Sequence, residues 1–224
     1  MIFAALFFLV AVVVAIREIR RLRRPAAAKT VTRSEKPTQL RDLETRAARL
    51  YADRQYLAAE KAYLKVLRIN HKDAQAYNRL GLIYVALKNY DDATECFQIS
   101  AQLKPTAAAW YNLGLAYNEN GNAIKAISAI EKAIMFEPSA VRYSGLAKAY
   151  AKVGNQAKVI SALEQALAQE KTKKTLVLLA ESYAKNHQRE KMQETYRQIL
   201  ELDPSDAKAK RLTGDTTKPP VPTL

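Results

Sequence analysis

The sequence is poor in the residues that most often carry chemistry. One cysteine, Cys96, and two histidines, His71 and His187, stand in 224 residues. A lone cysteine excludes an intrachain disulfide and a C-x-x-C metal site. Its apolar neighbours give Cys96 the setting of a buried, inert thiol. The two histidines lie far apart without ligand spacing and read as surface residues. Six glycines are too few and too scattered for a phosphate-binding loop. No run alternates apolar and polar residues between hairpin signals, which argues against strands. The reading is therefore of an all-α chain with no catalytic, cofactor or metal residues, and of a binding protein, not an enzyme.

Acidic residues are also in the minority, 22 against 36 Lys and Arg. The formal +14 divides as +6 for residues 1–38, +5 for 39–206 and +3 for 207–224. Nucleic-acid binding would ask for a basic face with interleaved aromatics. Here the excess sits at the chain ends and the tyrosines fall elsewhere, so no nucleic acid is expected.

What the sequence does have is repetition. Tyr77, Trp110, Tyr143 and Leu176 are 33 residues apart, and so are Leu80, Leu113, Leu146 and Leu179. Gly81, Gly114, Ala147 and Ala180 keep the same step, as do Tyr84, Tyr117, Tyr150 and Tyr183. A period of this size marks a solenoid. Within one period the apolar residues recur at i, i+3, i+4 and i+7: Trp110, Leu113, Gly114, Tyr117. The spacing resumes after Gly121-Asn122, a dipeptide that ends a helix by supplying a left-handed residue. Each unit thus reads as helix, turn, helix. Asp73, Thr106, Ser139, Thr172 and Ser205 precede the first helices and are candidate N-caps. Pro105, Pro138 and Pro204 stop the preceding helices.

These positions closely resemble the tetratricopeptide repeat (TPR). Residues 74–106 match at Tyr77, Leu80, Gly81, Tyr84, Ala93, Phe97 and Pro105, with Ser100 where the family has alanine. Residues 107–139 match at Trp110, Leu113, Gly114, Tyr117, Ala126, Ile130, Ala133 and Pro138. Residues 140–172 keep Tyr143, Leu146, Ala147, Tyr150, Leu163 and Ala166 but carry Val159 and Lys171 at two other consensus positions. Residues 173–206 keep Leu176, Leu179, Ala180, Tyr183, Tyr196 and Pro204. Residues 40–73 form a degenerate first repeat with Ala47, Leu50, Tyr56, Ala59 and Tyr63. The resemblance implies a right-handed α-solenoid and places Gly114 and Ala126 where two helices cross closely. The step of 33 is one short of the family's usual 34. A short polar helix over residues 206–212 would cap the array, and a disordered tail would follow from residue 213 to 224.

The N-terminus is a separate device. Residues 2–16, IFAALFFLVAVVVAI, carry no charge and are followed by REIRRLRR. Such a run spans about 23 Å as a helix, short of the ~30 Å hydrocarbon core, and Arg17 and Arg20 could snorkel. The charges follow the apolar run, which favours an uncleaved anchor over a cleaved signal peptide. Residues 1–24 are thus expected to be a membrane-anchor helix contacting lipid. The positive-inside rule then puts the rest of the chain in the cytosol, N-terminus out. A bacterial cytoplasmic membrane fits best, with a mitochondrial outer-membrane receptor as the alternative. Residues 25–39 read as a disordered linker.

The resemblance also implies a concave groove lined by fixed positions of each first helix. In this chain they are Asn78, Leu82, Val85, Tyr111, Leu115, Asn118, Glu119, Ser144, Lys148, Lys152, Lys174, Val177, Glu181 and Lys185. The first half is apolar and the second basic, which suits a protein or peptide partner with apolar anchors and an acidic stretch. Lys148, Lys152 and Lys185 are expected to face the groove as free charges, and Asn118 to face it openly. The two-carboxylate clamp of chaperone-binding TPRs finds one match from either starting repeat, Asn112 in one frame and Lys174 in the other. Two functions follow: a membrane-anchored scaffold that recruits a partner, or a structural subunit of a larger membrane assembly.

Overall fold

The computed structural model describes residues 36–214, and the expected anchor over residues 1–24 lies outside them. The described residues form eleven α-helices and no strand. The first two pairs are α1 (Lys36–Ala52) with α2 (Tyr56–Ile69) and α3 (Ala74–Ala86) with α4 (Tyr90–Leu103). Next come α5 (Ala107–Glu119) with α6 (Ala123–Phe136) and α7 (Ala140–Lys152) with α8 (Gln156–Gln169). The pair α9 (Lys173–Lys185) with α10 (Arg189–Leu202) follows, and α11 (Ala207–Thr213) ends the array. Among the described residues no helix is long and apolar enough to cross a membrane.

Each turn inside a pair is made the same way. Arg54, Lys88, Gly121, Gly154 and His187 adopt positive φ between 56° and 78°. The next residue then donates its N–H back across the turn: Asn89 to Tyr84 O, Asn122 to Tyr117 O, Asn155 to Tyr150 O and Gln188 to Tyr183 O, at 2.8–3.1 Å. This is the left-handed helix ending that closes orphan carbonyls. Glycine fills it in two pairs only, so the Gly-Asn signal found one version of a turn that is present five times.

The first helices are capped by side chains. Asp73 Oδ1 accepts from the Gln75 and Ala76 N–H groups, Thr106 from Ala109, Ser139 from Arg142 and Thr172 from Thr175. The last cap differs from the expectation. Ser205 donates its hydroxyl to Asp203 Oδ1 at 2.6 Å, and Asp206 caps α11 by accepting from Ala209 N–H at 2.8 Å. The reason is length: four residues join α10 to α11, as they join α2 to α3, whereas three join the pairs between. The 33-residue step is thus a property of the three short connections. α1 also starts inside the expected linker, at Lys36. Pro37 is tolerated there because first-turn N–H groups have no intrahelical acceptor to lose.

Packing within a pair depends on small residues at the crossing. A Cβ at Gly114 would overlap Ile130 Cγ1 and lie 3.2 Å from Ala126 O. One at Gly81 would come within 2.6 Å of the Phe97 ring. Ala126 and Ile130 are fully buried, as are Ala93 and Ala133. Two departures from the repeat pattern gain a polar partner. Ser100, buried, donates to Ala74 O at 2.8 Å. Lys171, in place of the usual proline, pairs with Glu201 at 3.0 Å.

Stacking between pairs adds a polar ladder. The tyrosine hydroxyls that recur every 33 residues donate to acceptors on the second helix of the preceding pair. Tyr84 reaches Glu60 (2.9 Å), Tyr117 reaches Gln98 (3.5 Å), Tyr150 reaches Glu131 (2.7 Å) and Tyr183 reaches Glu164 (2.6 Å). Lys125, Lys158 and Lys191, also 33 apart, lie over the rings of Tyr117, Tyr150 and Tyr183 at 5.5–5.6 Å. Burial and the bond to Glu131 push the Tyr150 hydroxyl up to about 12, so these groups stay donors at any ordinary pH.

Candidate functional site: the groove positions of the first helices

The expected groove residues lie on α3, α5, α7 and α9, which stack as the first helices of successive pairs. Near the start of the groove the contacts are amide and apolar. Asn112 Nδ2 donates to Asn78 Oδ1 at 2.9 Å, which ties α5 to α3. Leu82 and Val85 are half-buried and pack against Ala93, Phe97, Leu113 and Ala116. They are therefore shared between groove and core. Leu115 is half-buried and Glu119 is exposed.

The middle is closed by Tyr111. Its ring occupies the space where a side chain at residue 145 would stand, and a Cβ on Gly145 would come within 2.7 Å of it. Its hydroxyl donates to Val141 O at 3.0 Å. So Tyr111 spans from α5 to α7 and is half-buried between them. The sequence held a signal for this. Residue 145 is glycine where the equivalent positions carry Arg79, Asn112 and Leu178.

Two groove residues depart from expectation. Asn118 is buried at 5% exposure, and its Oδ1 has no hydrogen-bond partner among the described residues. It sits near the C-terminal end of α5, where the next first helix covers it. Lys152 is not a free charge, because its Nζ donates to the Asn118 backbone carbonyl. That carbonyl lies in the last turn of α5, at the negative end of the helix dipole, a natural seat for a cation. Lys152 is thus spent on stacking α7 against α5.

The remaining cations are available. Lys148, Lys174 and Lys185 are exposed, and among the described residues none of them forms an ion pair. Ser144 is half-buried on α7, and Val177 packs toward the α9–α10 core. Glu181 Oε1 is engaged by Lys208 Nζ at 2.9 Å, from α11. Sequence reasoning missed Lys208, because nothing in a repeat pattern marks a residue beyond the last full repeat. Among the described residues, the groove positions together offer a half-buried apolar stretch, a half-buried tyrosine and then unpaired ammonium groups.

Other chemistry is sparse. Cys96 packs partly buried against the α2–α3 core, and burial pushes its thiol pKa up. Among the described residues no three His, Cys, Asp or Glu side chains gather as metal ligands. A small cavity at the start of the array is lined by Glu44, Tyr63, Asp73 and Arg79. Burial and the neighbouring Asp73 carboxylate raise the Glu44 pKa there.

No curated protein matches the sequence significantly. Family models described as tetratricopeptide repeat match residues 74–106, 107–139 and 174–206. Solved structures share the fold. YrrB, described as a TPR protein with an unusual peptide-binding site, superposes with a TM-score of 0.66 at 18% identity. The match covers 84% of this chain and 100% of that one. MamA (residues 41 to the end) from Desulfovibrio magneticus gives 0.69 at 19% identity, covering 75% and 97%. TTC0263 of Thermus thermophilus, a thermophilic TPR protein, gives 0.53 at 24%, covering 78% and 97%. Proteins of this fold are generally non-enzymatic scaffolds for protein–protein interaction. Three of the helix pairs are thus matched as tetratricopeptide repeats, and the array shares the fold of solved TPR solenoids.

Proposed function

We propose that the array is the recognition part of a membrane-anchored scaffold. Residues 1–24 hold it at the membrane, and the groove takes a protein segment with apolar anchors and an acidic stretch at the cytosolic face. The observation that carries the reading is the order of side chains along the groove positions. Half-buried Leu82, Val85 and Leu115 come first, and the unpaired Lys148, Lys174 and Lys185 follow. Unpaired like charges on neighbouring helices focus a positive potential that speeds capture of an acidic partner. That a solenoid of the same fold is described as having a peptide-binding site is in keeping with this.

The test is affinity capture from a detergent extract with the wild-type chain and two charge-reversed variants. Lys148→Glu/Lys174→Glu/Lys185→Glu should lose the captured partner while keeping its helicity. Lys61→Glu/Lys65→Glu/Lys72→Glu, changed outside the groove at exposed positions, should retain it. The reverse pattern would sink the groove assignment. A second reading, a permanent subunit of a larger assembly, rests on Met135, Phe136 and Val141, which are 84%, 55% and 63% exposed around the α6–α7 connection. Under it, Phe136→Ser would break the complex and the lysine changes would not.

A further inference from the structure

Leu82, Leu115, Lys148 and Glu181 follow one another at a step of 33, one on each successive first helix. Lys148 and Glu181 are therefore neighbours of opposite charge in the same row. They are not ion-paired with each other. Glu181 Oε1 accepts from Lys208 Nζ at 2.9 Å, and Lys208 comes from α11, beyond the last full repeat. Lys208 is held on its other side by the buried Tyr196 ring, 5.8 Å from the ring centroid. α11 itself is fixed to the start of α9 by Lys173, which bridges Asp203 at 2.6 Å and Asp206 at 2.7 Å. So the start of α11 holds α9 at its first residue and again at Glu181, and the second contact ends on a carboxylate of the groove positions.

We infer that Lys208 is a specificity-determining residue of the groove. By engaging Glu181 from outside the row, it leaves Lys148 unpaired and removes a negative charge that an incoming acidic segment would meet. The inference rests on the proposed acidic partner and names one residue that sets it. A free Glu181 would act twice. It would repel the partner, and it would give Lys148 an internal counter-ion that the partner would have to displace. The same contact would also be present in a purely stabilising cap, so the readout must be binding with rescue, not stability.

The probe is a fluorescein-labelled peptide with a leucine-rich half and a glutamate-rich half, titrated against the full chain in mild detergent. Lys208→Ala should weaken binding about fivefold, the scale of an exposed ion pair. Glu181→Gln added to Lys208→Ala should restore binding to within about twofold of wild type. Glu181→Gln alone should bind at least as tightly as wild type. If Lys208→Ala binds like wild type, or if Glu181→Gln fails to rescue it, the inference is overturned while the groove reading stands. If the wild type does not bind the probe, both are overturned.

Discussion

At Gly114 a single hydrogen atom decides how closely α5 and α6 pack. Any Cβ there meets the fully buried Ile130 and the Ala126 carbonyl. Gly114→Leu is expected to destabilise the array by ~1–3 kcal/mol, the usual range for overpacking a dense core. Asn118→Leu should change stability by less than ~1 kcal/mol. The side chain is buried, but the substitution is close to isosteric and removes an unpaired carbonyl oxygen. Equal falls in denaturation midpoint would contradict this. The left-handed turn residues give the opposite sign. Lys88 holds φ 58° without being glycine. Lys88→Gly should therefore gain up to ~1 kcal/mol, because glycine has no Cβ to strain in that conformation. A fall in thermal midpoint would show that the lysine side chain does something not visible in its contacts.

Single elements at the two ends respond to pH in opposite directions. At the C-terminal end, Lys173 and Ser205 bond Asp203 and hold its carboxyl at about 2, below the ordinary 3.8. Asp206 is lowered by the same lysine and by the Ala209 N–H. Lowered values favour the folded form above the ordinary pKa, and the contribution is lost as pH falls from ~4 to ~2. At the N-terminal end Glu44 is raised above 4.5 by burial and by Asp73. Its contribution is present in acid and is lost as pH rises through that raised value. Hydrogen exchange should therefore show α11 loosening on acidification while the α1–α3 contact tightens. Lys173→Met should flatten the first response and leave the second. Both ends moving together would refute the assignment of these groups.

At the scale of the whole molecule, most of the fold could be read in the sequence, because repetition multiplies every signal. Five helix pairs, their small crossing residues and four of the five first-helix caps follow from positions that recur at one step. The tyrosine ladder recurs equally, yet its acceptors were missed. Gln98, Glu131 and Glu164 are polar side chains of the kind that usually face water, so only the stacked arrangement reveals their role. The groove was less legible. A repeat pattern says which face a residue is on, not whether a neighbour has already taken it, and that is how Lys152 and Glu181 differ from Lys148. The proposed anchor gives a prediction of its own. A chain beginning near Lys36 should remain in the supernatant after membranes are pelleted, with helicity intact. Sedimentation with the membranes would place a second attachment in the array.

The solitary thiol offers a use unrelated to chemistry. Cys96 sits on α4 against a cluster drawn from α1, α2 and α3, so separating the first two pairs would strip the part of its cover that α1 and α2 supply. Its raised pKa slows modification further, since the thiolate is the reactive form. The rate of labelling by an iodoacetamide dye then becomes a clock for the opening of that junction, with no engineered reporter. In urea below the global midpoint, labelling should accelerate before the far-ultraviolet signal falls if the degenerate first pair peels away alone. If the two change together, the array opens as one unit.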